Sequence, residues 1–180
     1  PYRHHYFDGA LMHIFNPDTK ENGGIFSQSQ GWLILAEALL GHGNAAFRYF
    51  TESSPAAMND KAEIRVMEPY VHGQFTESSA SPYAGRAHVH WLTGTASTVM
   101  VGCVEGICGM RPDADGLAIR PSIPAEWDGM KMHKVFRGKQ LNIIVQNPNH
   151  VESGVCALTL NGEALQGDYV PAEKLQDTNE

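Results

Sequence analysis

The first part of the chain carries apolar positions at helical spacing. Trp32, Leu35 and Leu39 fall on one face of a predicted helix that ends near Gly41. Glycines at 41 and 43 indicate a short turn, after which apolar residues at 45, 47, 49 and 50 continue the helical pattern until Ser53-Ser54-Pro55 stops it. We therefore expect a helical hairpin in this region.

A second apolar run extends from Trp91 to Cys108. It contains several hydroxyl side chains, Glu105 and three glycines, which makes a membrane span implausible. We interpret it as a buried helix that begins near Thr93 and ends at Gly109. Between the two helical regions, the stretch from Val66 to Val71 is expected to begin extended and to turn helical after Pro69.

From Gly116 onward the pattern changes to short segments rich in β-branched and aliphatic residues. They are separated by turn sequences such as Arg137-Gly138-Lys139 and Asn161-Gly162. The predicted strands are 117–121, 132–136, 141–145 and 155–160. Helices followed by strands predict an α + β organisation with two segregated layers or domains, and we place the boundary between Met110 and Gly116.

Composition narrows the possible partners. The 180 residues carry a formal net charge of -7 with no cluster of Lys or Arg, so electrostatic repulsion disfavours nucleic acid and an anionic membrane as partners. The three cysteines, Cys103, Cys108 and Cys156, show no paired pattern and are expected to be buried thiols in a reducing, cytoplasmic compartment. The chain begins as though in mid-domain, so we expect it to be part of something longer.

Few residues fit a metal site or a nucleophile from spacing alone. His88 and His90, with His72 or His133, lack any HExxH or CxxC spacing, and we expect no zinc site. Neither Ser nor Cys stands in a GxSxG setting. Asp113 and Asp115 follow Arg111-Pro112 and are expected to close a turn on their own backbone.

Five motifs, in order, carry a resemblance to a known family. They are Lys20-Glu21-Asn22-Gly23-Gly24-Ile25-Phe26, Glu68-Pro69-Tyr70-Val71 with Gln74, Trp91-Leu92-Thr93-Gly94-Thr95-Ala96, the run from Gly109 to Leu117, and the run from Ile123 to Gly129. This set resembles the carboxy-terminal third of the inverting β-glycoside phosphorylases of glycoside hydrolase family 94. The resemblance covers roughly Lys20 to Asn147.

The resemblance implies a fold and an activity. The expected fold is the end of an (α/α)6 barrel, residues 1–112, followed by a small antiparallel, jelly-roll-like β-domain, residues 113–180. The expected activity of the parent enzyme is phosphorolysis, with inversion, of a β-linked glucose-containing disaccharide to an α-sugar 1-phosphate and a released sugar. The resemblance implies no metal or organic cofactor and inorganic phosphate as co-substrate. The partners it implies are a second copy in a homodimer and the remainder of the catalytic barrel.

The resemblance also implies a phosphate site at Thr93 and Gly94. A hydroxyl donor and a backbone N–H at a helix start suit an oxyanion, and Gly94 has no Cβ to block its approach. The alternative is a helix N-cap followed by a glycine that allows close packing. Family members usually carry a histidine seven residues after the Glu of the first motif, where this chain has Gln28, which donates a hydrogen bond but never becomes cationic.

Sugar-contacting roles are implied for Glu21 and Gln74, and more weakly for Lys20. A carboxylate accepts from two hydroxyls, and an amide both accepts and donates. The alternative is a set of solvated surface side chains. The resemblance places the general acid on an aspartate upstream of Lys20 that no aspartate here matches, Asp8 included, so we assign no catalytic residue in this chain. Two rival hypotheses remain open, a non-catalytic carbohydrate-binding or assembly module and an inverting hydrolase on the same barrel.

Overall fold

The computed structural model describes residues 14–180. They divide into two compact units, one formed by the described residues through Trp32 together with Tyr49–Met100, and the other by Leu33–Arg48 together with Val101–Glu180. Both units mix helices with small sheets, so the α + β prediction is confirmed at that level. The predicted boundary between 112 and 113 stays a prediction. Asp8 lies outside the described residues.

The sheet of the first unit is antiparallel and has the order β1-β2-β3. Its strands are β1 Ile25–Phe26, β2 Gly73–Thr76 and β3 Ala87–His90. Phe75 on β2 lies opposite Phe26 on one side and His88 on the other. Because alternate residues of β2 are buried, Phe75 enters the core of this unit while Gln74 is directed to the half-buried face.

Two helices form the predicted hairpin, which is confirmed. They are α1 Ser29–Leu39 and α2 Gly43–Ser53. Gly41 lies between them with φ +83°, a conformation that glycine adopts without steric cost. Gly43 starts α2 against backbone, since a Cβ built on it would lie 2.1 Å from the Ile123 carbonyl oxygen.

The chain after α2 differs from the prediction. A 3₁₀ segment, Ala56–Lys61, leads into the short helix α3, Ala62–Arg65, which ends at the left-handed Val66. Beyond Pro69 a turn is closed by the Val71 N–H donating to the Glu68 carbonyl oxygen, and β2 follows directly. The helix predicted after Pro69 is therefore wrong, because the alternating burial from Val71 to Glu77 directs the segment into a sheet.

The second apolar run is helical, as predicted, but it is not buried throughout. It comprises α4 Thr95–Val101 and a π-helical segment, Gly102–Ile107. Val99 is buried while Met100 is exposed, so the helix presents one side to solvent. Cys103 and Cys108 are half-buried free thiols, whereas Cys156 is exposed, so the prediction that all three are buried is wrong for Cys156.

The second unit contains eight of the strands in the described chain. They are β4 Met110–Pro112, β5 Gly116–Ile119, β6 Gly129–Phe136, β7 Lys139–Gln146, β8 Leu158–Leu160, β9 Glu163–Leu165, β10 Tyr169–Pro171 and β11 Thr178–Asn179. A 3₁₀ segment, Ala172–Lys174, follows β10. The sheet orders are β10-β5-β4, β11-β7-β6 and β8-β9, and every pair is antiparallel except β11 with β7. The core includes Leu117, Phe136 and Leu141.

Two turn predictions in this unit are confirmed. Asn161 and Gly162, both at positive φ, connect β8 and β9. The Asp113 carboxylate accepts from the N–H groups of Asp115 and Gly116 at 2.9 and 2.8 Å, which closes the turn before β5. The predicted strand over 155–160 is confirmed only for its last three residues.

Asn179 is a buried polar residue close to the end of the chain. Its amide donates to the carbonyl oxygens of Gln140 and Gln176 at 3.1 and 2.7 Å. Its side-chain oxygen accepts from the Gln176 N–H and from the Asn161 amide at 2.9 and 3.1 Å. One side chain thus connects β7, the β8–β9 turn and the last strand.

Candidate functional site

The loop before β1 is a tight polar structure that positions Lys20. The Asp18 N–H donates to the Asn22 carbonyl oxygen at 2.8 Å, and the Gly24 N–H donates to the Lys20 carbonyl oxygen at 2.8 Å. Asn22 is fully buried and its amide donates to the Phe15 carbonyl oxygen at 2.8 Å. A Cβ at Gly24 would lie 2.6 Å from the backbone nitrogen of Lys20, so the loop can close in this way only with glycine at position 24.

Lys20 and Gln74 are brought into direct contact by this loop. The Lys20 ammonium donates to the Gln74 side-chain oxygen at 2.5 Å and lies 5.3 Å from the centre of the Phe75 ring. Lys20 itself has a left-handed backbone, with φ +46°. Glu21, the next residue, is exposed. Two of the three predicted sugar-contacting residues therefore form one hydrogen-bonded pair.

Thr93 and Gly94 precede α4 and remain open to solvent, half-buried and exposed respectively. The Thr95 N–H donates to the Thr93 hydroxyl oxygen at 3.1 Å, and the two threonine hydroxyls are 2.7 Å apart. Since the Thr95 hydroxyl donates to the Gly73 carbonyl oxygen at 3.2 Å, the proton between the two hydroxyls belongs to Thr93. Within residues 14–180 the Gly94 N–H donates no hydrogen bond. The Thr93 hydroxyl therefore caps the start of α4, as the alternative to a phosphate site predicted.

Gln28 lies beside Gly94. A Cβ built on Gly94 would be 3.1 Å from both the amide carbon and the amide nitrogen of Gln28. The Thr98 hydroxyl donates to the Gln28 carbonyl oxygen at 2.9 Å, which fixes the backbone of this residue against α4. The Ser27 N–H donates to the Gln74 carbonyl oxygen at 2.9 Å. The residues predicted to hold phosphate and those predicted to hold sugar are therefore connected through β2.

A buried layer beneath this cluster was not predicted. The His88 ring stacks on Phe75, with centroids 4.9 Å apart and planes 10° from parallel. His88 Nε2 lies 2.6 Å from a carboxylate oxygen of Glu77, which is only 6% exposed, and the Ser81 hydroxyl donates to the other oxygen. Burial raises the pKa of Glu77, but the hydrogen bonds from Ser81 and His88 outweigh it and lower the pKa below its ordinary value.

The sequence gives no signal for this layer, since Phe75 is the only apolar residue between Gln74 and Ser78 and no polar–apolar alternation marks the segment. Nothing in the sequence indicates that Glu77 and His88 meet. The histidines considered for a metal site are separately engaged, His90 by Glu68 at 3.1 Å and His133 by Asn142 at 2.9 Å. Burial, with the positive charge of Arg65, lowers the pKa of His72. Residues 14–180 contain no group of three or more His, Cys, Asp or Glu side chains that could hold a metal ion.

The polar loop at Lys20, the Thr93-Gly94 pair and the Lys20–Gln74 hydrogen bond correspond to three of the five motifs. Residues 1–109 match the family model described as the glycosyl hydrolase 94 superfamily, catalytic domain, and the chain belongs to this family. Residues 110–161 match the model described as the glycosyl hydrolase family 65, C-terminal domain. The resemblance predicted from the five motifs is confirmed.

Similar curated proteins are disaccharide phosphorylases. The chain is 39% identical over 162 residues to an N,N'-diacetylchitobiose phosphorylase of Vibrio furnissii and 37% identical over 159 residues to that of Vibrio proteolyticus. These matches cover 90% and 88% of the chain. A cellobionic acid phosphorylase of Neurospora crassa is 39% identical over 165 residues, 88% of the chain. In each case the chain spans about one fifth, 20%, of the relative's length.

Among the described residues, every helix falls short of the length and apolar character that crossing a membrane requires.

Proposed function

We propose that the protein to which this chain belongs catalyses phosphorolysis, with inversion, of a β-linked glucose-containing disaccharide to an α-sugar 1-phosphate and a released sugar. The observation that supports this most directly is that β2 contacts both groups of residues, through the Lys20–Gln74 pair and through the Thr95 hydroxyl on the Gly73 carbonyl oxygen, in a chain of the glycosyl hydrolase 94 superfamily. The relatives named above act on different disaccharides by their names, so the proposal stops at the class of substrate.

The proposed chemistry needs few groups from this chain. In an inverting reaction one carboxylic acid protonates the leaving oxygen, and phosphate attacks the anomeric carbon from the opposite face in place of an activated water. Phosphate brings its own negative charge, so the site has to orient it and needs no proton-abstracting side chain. We assign the general acid to an aspartate of the protein outside the motifs described here.

Phosphate is proposed to bind at Thr93, Gly94 and Gln28. The Thr93 hydroxyl rotates its proton from Thr95 to the anion, the Gly94 N–H supplies a second donor, and the Gln28 amide a third. All three donors are neutral, so cationic partners for the anion have to come from elsewhere in the protein. The absence of a Cβ at Gly94 leaves room for an oxygen close to the backbone.

The sugar is proposed to bind at Lys20, Gln74 and Glu21. The Lys20 ammonium has three donors, of which one is used by Gln74. The Gln74 amide nitrogen and the exposed Glu21 carboxylate add a donor and acceptors for hydroxyl groups. Stacking of Phe75 between His88 and Lys20 holds this side of the site in place.

The wider architecture belongs to the same proposal. We propose that residues 1–112 complete an (α/α)6 barrel and that the strands from residue 113 onward form a jelly-roll-like domain. Homodimerisation, a cytoplasmic location and the lack of a metal or organic cofactor are part of the proposal as well. Phosphorolysis of this kind requires no redox step and no Lewis acid, because the phosphate itself is the nucleophile.

The test is an assay of the complete protein for phosphate-dependent release of a sugar 1-phosphate from β-linked disaccharides. Thr93→Ala is expected to reduce kcat/KM for phosphate by about a hundredfold to a thousandfold, the range for loss of one positioned donor. Thr159→Ala, on an exposed position of β8, is the matched control and is expected to leave the rate unchanged. Sugar release that does not depend on phosphate would contradict the proposal.

Gln28 favours one alternative strongly enough to test it. Because a neutral amide stands beside Gly94, an inverting hydrolase on the same scaffold is a second candidate. Turnover in water enriched in oxygen-18 separates the two reactions, since hydrolysis places solvent oxygen on the new reducing end and phosphorolysis does not. Calorimetry of the 180-residue chain with glucose, cellobiose and phosphate separates both from a module that binds sugar alone.

A further inference from the structure

The chain holds an exposed tryptophan in a strained backbone immediately before Thr93. The Leu92 N–H donates to the His90 carbonyl oxygen at 2.8 Å, and the residue between them, Trp91, has φ +67°. A hydrogen bond across three residues around a positive φ is a γ-turn of the rare, strained kind. Val89, inside β3, is also at positive φ, at 56°. Such strain persists only where the surrounding contacts impose it.

Those contacts fix the orientation of the Trp91 ring. The indole N–H donates to a Glu68 carboxylate oxygen at 3.3 Å, and His90 lies 3.1 Å from the other oxygen. The pKa of Glu68 is lowered because its own backbone N–H and then the Trp91 indole donate to it, so the group is a carboxylate at neutral pH. Tyr70 meets the indole in a T-shaped contact, with centroids 6.1 Å apart.

Within residues 14–180 the fixed ring is nevertheless largely exposed. Trp91 is 68% exposed and Tyr70 is 70% exposed. The polar atom of the Trp91 ring already has a hydrogen-bond partner, and one face of the ring is open. Such a ring offers apolar contact area, and binding to it costs little side-chain conformational entropy. A carboxylate stands at its edge. This pairing suits a ligand that has one apolar face and a rim of hydroxyl groups.

We propose that Trp91, Tyr70 and Glu68 form a pyranose-binding platform, with the sugar's C–H face on the Trp91 ring and a hydroxyl donating to the Glu68 carboxylate oxygen that also accepts from the indole. The inference rests on the proposed function, because it names a further sugar contact of that site. His90 is paired with Gly73, one residue before Gln74, and Trp91 lies two residues before Thr93. The platform is therefore connected through the backbone to the residues proposed to bind sugar and to those proposed to bind phosphate.

A saccharide fits this surface better than an apolar partner surface does. Glu68 and His90 are charged or polar groups at the edge of the ring, and an apolar surface packed there would desolvate them without offering hydrogen bonds in return. Sugar hydroxyls donate charge-assisted hydrogen bonds to the carboxylate instead. Packing of another protein segment on Trp91 is the competing outcome of the test.

The experiment follows the three tryptophan indole N–H signals, from Trp32, Trp91 and Trp127, by nitrogen-15 NMR of the 180-residue chain. Cellobiose, N,N'-diacetylchitobiose and inorganic phosphate are titrated separately. We expect a disaccharide to shift the Trp91 signal and phosphate to shift the Gly94 amide. Trp91→Ala is expected to weaken disaccharide binding by about tenfold or more. Trp32→Ala, at a residue that is 62% exposed, is the matched control and is expected to have no effect.

The outcomes separate the platform from the proposed function. If a disaccharide shifts the Gln74 amide but neither shifts Trp91 nor responds to Trp91→Ala, the platform is wrong and the proposed sugar site stands. If the Trp91 signal moves only when further parts of the protein are added, without sugar, the surface is a protein contact and the platform is again wrong. If Trp91→Ala leaves the KM of the complete protein for its disaccharide unchanged, the platform is wrong, and if the complete protein releases no sugar 1-phosphate, both proposals fail.

Discussion

Replacement of the neutral Gln28 side chain beside Gly94 with a titratable one leads to a quantitative prediction. Gln28→His places an imidazole where the amide now lies 3.1 Å from the position of a Gly94 Cβ. Below its ordinary pKa of about 6.5 the imidazole is cationic. We expect the variant to bind a tetrahedral dianion more tightly than the natural protein at low pH, and no more tightly above about pH 8.

The magnitude follows from the exposure of residue 28. Two unit charges about 4 Å apart interact by about 1 kcal/mol in water and about 4 kcal/mol at an effective dielectric constant of about 20. Gln28 is exposed, so the lower figure applies; it is roughly doubled for a dianion and reduced again by the ordering of the side chain. A net gain of about 1.4 kcal/mol corresponds to a tenfold increase in affinity.

Calorimetric titration of the 180-residue chain with sulfate at pH 5.5 and pH 8.0 measures this gain, since sulfate keeps its charge over that range whereas phosphate does not. Gln140→His, at an exposed glutamine of β7, controls for a general effect of added positive charge. Equal affinity of Gln28→His and the natural chain at pH 5.5 would refute the proposed position of the anion. So would a gain of the same size from Gln140→His.

Three further predictions concern the scaffold and its thiols. Because the pKa of Glu77 is lowered in the folded state, its ionisation stabilises the fold above the ordinary carboxyl pKa, and this stabilisation is lost as the pH falls through the folded-state pKa. In urea unfolding, Glu77→Gln is therefore expected to be less stable than the natural chain at pH 7 and to lose less stability on acidification. An unchanged dependence of stability on pH would contradict this reasoning. A hydrogen bond from Cys108 lowers the pKa of Cys103 to about 7 and raises that of Cys108. In a Cys156→Ser background, alkylation of Cys103 should therefore reach half its maximal rate near pH 7, and Cys108→Ala should move that midpoint upward. A midpoint unaffected by Cys108→Ala would show that no hydrogen bond between the two thiols sets the pKa of Cys103. Gly43→Ala brings a methyl group to 2.1 Å from the Ile123 carbonyl oxygen. Urea titrations should show a free energy of unfolding lower by about 1–3 kcal/mol or more. A loss below about 0.5 kcal/mol would show that the start of α2 shifts to make room for the methyl group.

Sequence periodicity predicted the elements that are long or bounded by strong turn residues. The helical hairpin, the helix after Thr93 and the β6–β7 pair all follow from it, because their apolar residues repeat with one clear period. The segment after Pro69 was predicted wrongly, since four-residue strands carry too little pattern to outweigh a proline that suits a helix start. Local rules describe neighbours along the chain, and β2 is determined by its two partner strands.

The candidate site shows the same division. The motifs placed Lys20, Gln28, Gln74, Thr93 and Gly94 in one group, and the structure brings them together. The motifs gave no indication of the Glu77–His88 pair or of the turn at Trp91. The Glu77–His88 pair depends on which strand lies beside β2, and the turn depends on the positive φ of Trp91. A single sequence reveals neither.

The hydrogen bonds of Asn179 have a practical consequence for anyone who trims the chain. Terminal residues are commonly regarded as dispensable, but tolerance to truncation depends on burial and bonding rather than on distance from the end. Removal of only the last two residues would eliminate β11 and leave the Gln140 carbonyl oxygen and the Asn161 amide without their present partners. A shortened version of this polypeptide therefore has to keep the strand that contains Asn179.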